Sequence, residues 1–377
     1  MVRICIFLWN SFGRVILQGN FKYLDNLIHS ESKEIFLDCD ISMEFSEASD
    51  YLHGIRIDVE GIVIDGTGHT IDANYLARIF SISAKNVQIK NLKLTRGYSA
   101  SRSDEEKQDG TFGNPAHPQG YGGAIYNRGE LELINCEFLD NYSWSFGGAI
   151  VNMADLKIMD CCFKNNSGYN GGAIFNRSDL EIQNTDFTRN GGPIFTNSFG
   201  KLALYGETTK FGGAILNEDS LKMDDCIFRH NYARDGGAIN NFFGKINASK
   251  IIFSNNASKF TGAVNNFGGD VLISDSSFSD NVSNKKWDAY FDIFKLNAKD
   301  LDSYEMQSNK NSGVIFNNNI FNLQNCKFIN NMGFANSIYN LGGAFLIINE
   351  TLFSGDFKNE IKGYGEVKRF NCEFNVI

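Results

Sequence analysis

GGAIYNRGELELINCEFLDN, residues Gly122–Asn141, returns three more times in closely similar form. Gly147–Asn166 reads GGAIVNMADLKIMDCCFKNN, Gly171–Asn190 reads GGAIFNRSDLEIQNTDFTRN and Gly212–Asn231 reads GGAILNEDSLKMDDCIFRHN. The phenylalanine that closes the unit falls at Phe138, Phe163, Phe187, Phe228, Phe253, Phe278, Phe328 and Phe353, in steps of 25, 24, 41, 25, 25, 50 and 25 residues. A fixed period of this size marks a solenoid, in which each repeat buries its apolar face only against its neighbours. The step of 50 reads as two units. The step of 41 reads as one unit followed by an extra, irregular one beginning at Gly191.

Inside the unit the apolar positions are Leu131, Leu133, Cys136 and Phe138. Each pair has period two, and Ile134-Asn135 shifts the phase between them. That is two short strands joined at a bend, each sending alternate side chains inward. The bend residue is Asn135, Asp160, Asn184, Asp225, Asp275, Asn325 and Asn371 in successive units, with Lys250 the exception. Asn and Asp tolerate left-handed backbone better than other residues with a Cβ. The Gly-Gly pair supplies a second sharp turn. The pattern predicts an all-β fold, a single-stranded right-handed parallel β-helix. About twelve rungs at a spacing of ~4.8 Å would make a rod roughly 60 Å long.

An open solenoid end needs a cap. Asn20 is placed to cap a helix in which Phe21, Leu24, Leu27 and Ile28 share one face. Residues 1–33 are therefore read as an N-terminal segment with a capping helix, and 34–377 as the β-helix. A strand is expected at Glu34–Ile41. Ile55–Val59, Ile62–Ile64, Thr70–Asp72, Ile79–Ile82, Val87–Ile89 and Leu92–Leu94 read as irregular first rungs. Two stretches break the period and read as loop insertions, 97–120 and 282–311. In the second, Trp287, Tyr290, Phe291 and Phe294 have the spacing of a short amphipathic helix lying on the wall.

The net charge is −9, and Lys and Arg are scattered. No nucleic-acid partner is expected. No apolar run reaches the ~18 residues that span a bilayer. The start, MVRICIFLWN, has a six-residue apolar run, Ile4–Trp9, short of the roughly 7–15 of a signal peptide. Eight cysteines in 377 residues do not make a disulfide scaffold. Cys136, Cys161, Cys226, Cys326 and Cys372 share one column and read as small core residues. No histidine joins them, so no metal or cofactor is expected.

Equivalent residues stack one period apart, so columns can be searched for sites. The bend column reads Asn135, Asp160, Asn184 and the column before the Phe reads Glu137, Cys162, Asp186. Neither of these columns places two carboxylates on adjacent rungs, the minimum for acid-assisted sugar hydrolysis within one column. Acids of different columns are left free to converge.

The pairing of GGAI with F-x-x-N, as in Phe138–Asn141, Phe163–Asn166, Phe187–Asn190, Phe228–Asn231, Phe253–Asn256, Phe278–Asn281 and Phe328–Asn331, resembles the polymorphic outer-membrane protein repeat. Gly54–Gly97 followed by GGAIYN is similar to adhesin-like surface proteins of methanogenic archaea. Together the resemblance covers about residues 20–355. It implies a pectin-lyase-like fold, a place outside the cell or on its surface, and binding to surface glycans or to host or neighbour-cell surface proteins. Against that pattern the chain has neither a clear export signal nor an anchoring domain, and is expected to be a truncated member.

Three functions follow as expectations: a non-catalytic adhesion module, a polysaccharide lyase or glycoside hydrolase on the same fold, or a structural spacer. For binding, the insertions offer Tyr98, His117 and Tyr121 in or beside the first and Trp287 and Tyr290 in the second, since loops on a rigid scaffold carry recognition. For catalysis the candidates are Asp58, Asp65, His69, Asp72, Asp224 and Asp225, each of which also reads as a turn or bend residue. Asn-x-Ser/Thr sequons stand at Asn141, Asn165, Asn176, Asn247, Asn256, Asn281 and Asn349.

Overall fold

The computed structural model describes residues 6–9, 15–99, 120–198, 201–283, 313–355 and 357–374. The chain winds as a right-handed parallel β-helix with three long walls. One is an 11-stranded sheet that includes Ile125–Asn127, one a 12-stranded sheet that includes Leu131–Ile134, and one a 14-stranded sheet that includes Glu137–Leu139. From rung to rung the pairing is parallel and in the register read from the repeat, Leu131 on Leu156 on Leu180 and Phe138 on Phe163 on Phe187, while Ile6–Trp9 adds antiparallel to Val15–Gly19 at the edge of the 14-stranded wall. The twelve strands of the second wall count the rungs.

The bend column adopts the expected left-handed backbone, from Asn135 (φ 51°) through Asp160, Asn184 and Asp225 to Asn371, and Lys250 adopts it too (φ 55°). A second left-handed column follows two residues after the phenylalanine, at Asp140, Asn165, Arg189, His230, Asn255, Asp280 and Asn330. In the glycine pair, Gly122 has φ 56°, while a Cβ on Gly123 would stand 2.5 Å from the carbonyl oxygens of Gly148 and Tyr142. The first glycine therefore makes the turn, and the second lets neighbouring rungs close up.

The phenylalanines form one continuous stack, with ring centroids 4.6 Å apart for Phe138–Phe163 and 4.8 Å for Phe353–Phe374. The strand spacing sets that distance. Each fully buried ring contributes roughly 1.5–3 kcal/mol by area. Cys136, Cys161, Cys226 and Cys326 are buried free thiols.

Two readings of the period are corrected. Phe187 stacks directly on Phe228 at 4.7 Å, and Phe278 directly on Phe328 at 4.6 Å. The step of 41 therefore holds no extra rung. Its surplus is an antiparallel hairpin, Pro193–Ser198 paired with Lys201–Thr208. The step of 50 is likewise one rung with an insertion. Parallel pairing rewards matched register, so surplus chain is expelled at a turn and adds no coil. The strand expected at Glu34–Ile41 is two strands on different walls, Glu34–Phe36 and Asp40–Ser42.

The helix α1, Phe21–Ile28, forms as expected, with Asn20 Oδ1 accepting from the Tyr23 N–H at 2.9 Å. The Glu47 carboxylate accepts from the Lys22 N–H at 2.9 Å, satisfying another free donor of the first turn. Phe21, Leu24 and Ile28 are fully buried in the core that runs through the rungs.

Candidate functional site

The 12- and 14-stranded walls meet at the bend column. Each rung turns there on a single left-handed residue, which leaves an open groove of about 850 Å³ along the outside. Two columns line it: Asn91, Asn135, Asp160, Asn184 and Asp225 at the bend, and Lys93, Glu137, Cys162, Asp186 and Ile227 two residues on. Glu137, Asp160 and Asp186 thus stand on three consecutive rungs, although neither of these two columns pairs carboxylates on adjacent rungs; the column that does, Glu130, Asp155 and Asp179 at the entry to the 12-stranded wall, lies outside the groove. Acids of two columns therefore line one groove.

Most of these acids have partners. Asn184 Nδ2 donates to Asp160 Oδ1 at 2.7 Å, Arg229 pairs with Asp186, and Lys93 Nζ lies 3.9 Å from Glu137. At Asp65, burial pushes the carboxyl up. Hydrogen bonds from Asn91 (3.0 Å) and the Thr67 N–H (2.9 Å), with the Lys90 ammonium, outweigh it and hold the group below the usual carboxylate range. Burial, followed by the nearby Asp186 and Glu137 charges, pushes the Cys162 thiol up to about 11. It stays protonated at neutral pH and is a poor nucleophile. The described carboxyls that burial raises, Asp140, Glu218 and Asp235, lie outside the groove.

The catalytic candidates are scattered. Asp58 is held by Arg56 at 2.9 Å and His29 at 3.3 Å. His69 meets Asp40 at 3.1 Å, Asp72 pairs with Arg96, and Asp224 takes the Ser249 hydroxyl and Lys250. Asp65 and Asp225 do line the groove, but at opposite ends, five rungs or about 24 Å apart.

Of the binding candidates, Tyr98 is 8% exposed in a strand paired with Tyr142, and Tyr121 is 2% exposed. The turn at Gly122 folds Tyr121 onto the outer face of the 11-stranded wall, where it joins Tyr126, Phe146, Val151, Phe175 and Leu216 in a small apolar cluster. Neither ring presents the open face that sugar stacking needs. His117, Trp287 and Tyr290, with the helix expected around Trp287–Phe294, lie outside the described residues.

One feature went unread in the sequence. The position after the buried asparagine of the 11-stranded wall is Arg128, Met153, Arg177 and Glu218 in four rungs, then Phe242 and Phe267. Phe243 and Phe267 are 63% and 41% exposed. The Phe242 and Phe267 rings stack at 5.4 Å, and Phe243 stands edge-on to both, at 4.7 and 5.8 Å. Phe243 has φ 61°, costly for a bulky side chain. A Cβ on Gly268 would come within 2.4 Å of its ring, so the glycine makes room for it. Beside this platform Asn319 Nδ2 donates to Gly268 O at 3.2 Å and to Asp270 at 3.1 Å. Two successive phenylalanines in a mostly polar column, which returns to polar at Asn318, were the legible signal.

No protein-family model matches the chain, and no curated protein matches its sequence. Among solved structures, a double mutant of the tailspike protein of E. coli bacteriophage HK620 aligns over 95% of this chain with a TM-score of 0.43 and 13% identity. This chain covers 66% of that tailspike. The alginate lyase AlyF-OU02, solved as a complex, aligns over 98% of this chain and 86% of its own, with a TM-score of 0.41 and 10% identity. These likenesses concern the course of the chain alone.

Proposed function

We propose that the chain is a non-catalytic β-helix module that binds glycans at a cell surface, as adhesin-like proteins with this repeat would. The observation that carries the reading is the platform of Phe242, Phe243 and Phe267. Exposed rings held by a strained backbone cost folding free energy, and such strain persists where it serves a site. Ring faces take the apolar C–H face of a sugar, and amides and carboxylates such as Asn319 and Asp270 take its hydroxyls. The test is a glycan-array screen of the whole chain, repeated with Phe243→Ala/Phe267→Ala. Truncating two central aromatic contacts should weaken binding about tenfold or more, with the melting temperature retained because both rings are exposed. A double variant that binds unchanged would overturn the reading.

A second reading, polysaccharide cleavage in the groove, is favoured by Glu137, Asp160 and Asp186 on consecutive rungs. Glu137 and Asp186 share a column two rungs apart, roughly 10 Å, close to the carboxyl separation of inverting glycosidases, about 6.5–9.5 Å, and Asp160 lies on the rung between them in the neighbouring column. Release of sugar ends from polygalacturonate, abolished by Asp160→Asn, would establish it. Neither binding nor turnover would leave the structural spacer.

A further inference from the structure

On the turn that precedes the glycine pair, a band of cations lies against aromatic rings over four consecutive rungs. Backbone bonds place them in order: Lys210 N–H to Tyr169 O (2.7 Å), Asp235 N–H to Lys210 O (2.9 Å) and Phe260 N–H to Arg234 O (3.0 Å). Lys210 Nζ lies 5.7 Å from the Tyr169 centroid and 5.2 Å from that of Phe211. Arg234 lies over Phe211 at 5.6 Å and Phe260 at 5.9 Å, and Lys259 over Phe260 at 5.3 Å. All are half-buried, with the Arg234 side chain 42% exposed. Arg234 meets Asp235 at 3.2 Å; among the described residues neither lysine has a carboxylate within 4.0 Å. Burial raises the Asp235 carboxyl, and the charges of Arg234, Lys210 and Lys259 all oppose that shift, so one acid lies in the field of three cations. The band thus carries local positive charge on a chain of net charge −9.

We propose that this band is a binding site for a carboxylated polysaccharide, lying along the solenoid axis with its acid groups on Lys210, Arg234 and Lys259. Cations recur once per rung, at about 4.8 Å, and a uronate chain likewise presents its carboxylates at regular intervals along one strand. Rings beneath the cations hold them in place, so less side-chain freedom is lost on binding. A nucleic acid fits less well. The cations occupy the ring faces on which bases would stack. The site rests on neither the groove nor the phenylalanine platform.

The test is binding of the full chain to immobilised polygalacturonate, with neutral dextran and duplex DNA as comparisons, at low and high salt. Polygalacturonate should bind, more weakly as salt rises. Lys210→Gln/Arg234→Gln/Lys259→Gln should weaken binding about tenfold. Lys157→Gln/Lys222→Gln/Lys245→Gln, which removes equal charge from the exposed face of the 12-stranded wall, should leave it within about twofold. Asp235→Asn, which removes charge with little change of shape, should tighten it. The proposal is overturned if polygalacturonate does not bind the parent chain, if both triple variants lose binding equally, if Asp235→Asn weakens it, if DNA binds as well, or if dextran binds and is lost in the Lys210/Arg234/Lys259 variant.

Discussion

Asn190 shows why F-x-x-N is kept from rung to rung. Its Oδ1 accepts from the backbone N–H and the side-chain amide of Asn166, both at 3.0 Å. Its Nδ2 donates to the Phe163 carbonyl at 2.9 Å and to Asn231 Oδ1 at 3.1 Å. The same pattern links Asn141 to Asn166 and continues from Asn231 through Asn256 and Asn281 to Asn331. A second ladder runs from Asn127 through Asn152, Asn176, Asn217, Asn241, Asn266 and Asn317 to Asn340. Turns inside a solenoid leave backbone groups without ladder partners, and asparagine, with both donor and acceptor, satisfies them. Asn190→Leu strands several buried groups at about 1–3 kcal/mol each, so a loss of at least ~3 kcal/mol is expected by urea unfolding. A loss below ~1 kcal/mol would show the ladder to be dispensable. Four sequon asparagines, Asn141, Asn176, Asn256 and Asn281, are fully buried ladder members and out of reach of glycosylation in the fold.

At the scale of the element, insertions hang from closed bases. The Thr209 N–H donates to Gly192 O at 2.8 Å, tying off the hairpin Pro193–Thr208, and Phe187 already rests on Phe228. Replacing 194–207 with a two-residue turn should therefore leave the circular dichroism spectrum unchanged and shift stability by less than about 1 kcal/mol, since loop-length entropy varies slowly. Collapse of the fold on excision would mean that the hairpin is structural. Arg78 makes the base of the first insertion. It is fully buried and donates to the carbonyls of Tyr121, Gly122 and His53 and to Ser99 Oγ, joining both ends of 97–120. Burial pushes its guanidinium down to about 10, which still leaves it charged at neutral pH.

For the molecule as a whole, stability should peak below neutrality. Burial raises Asp140, Glu218 and Asp235, so the native state binds protons more tightly than the unfolded chain at these sites. Stability is then gained as pH falls through the raised values toward the unfolded value of about 4. Asp65 is held low despite its burial, and Asp224 is held low first by the Ser249 hydroxyl and, against burial, by Lys250. Their contribution is complete above the unfolded value and is lost as pH falls through the lowered folded ones. The melting temperature should pass through a maximum between pH 7 and about 4 and fall below that. A steady rise from about 4 to 7 would contradict the assignment.

The sequence by itself determined the coil. Phe138 to Phe353, Asn135 and its equivalents, and the glycine pairs act through local backbone preference and nearest-rung stacking, which a fixed period displays directly. Rung count at Gly191 and after Asn281 was misread, because period alone cannot distinguish a rung from an expelled loop; only the stacking of Phe187 on Phe228 and Phe278 on Phe328 does so. Side-chain sites were legible only as columns. The groove joins acids from two columns, Tyr98 is buried in a paired strand and Tyr121 is closed off by packing against the wall, and Phe243 stands exposed on a strained backbone. Those outcomes depend on which outward-facing side chains meet across a bend, and the tertiary structure alone decides that.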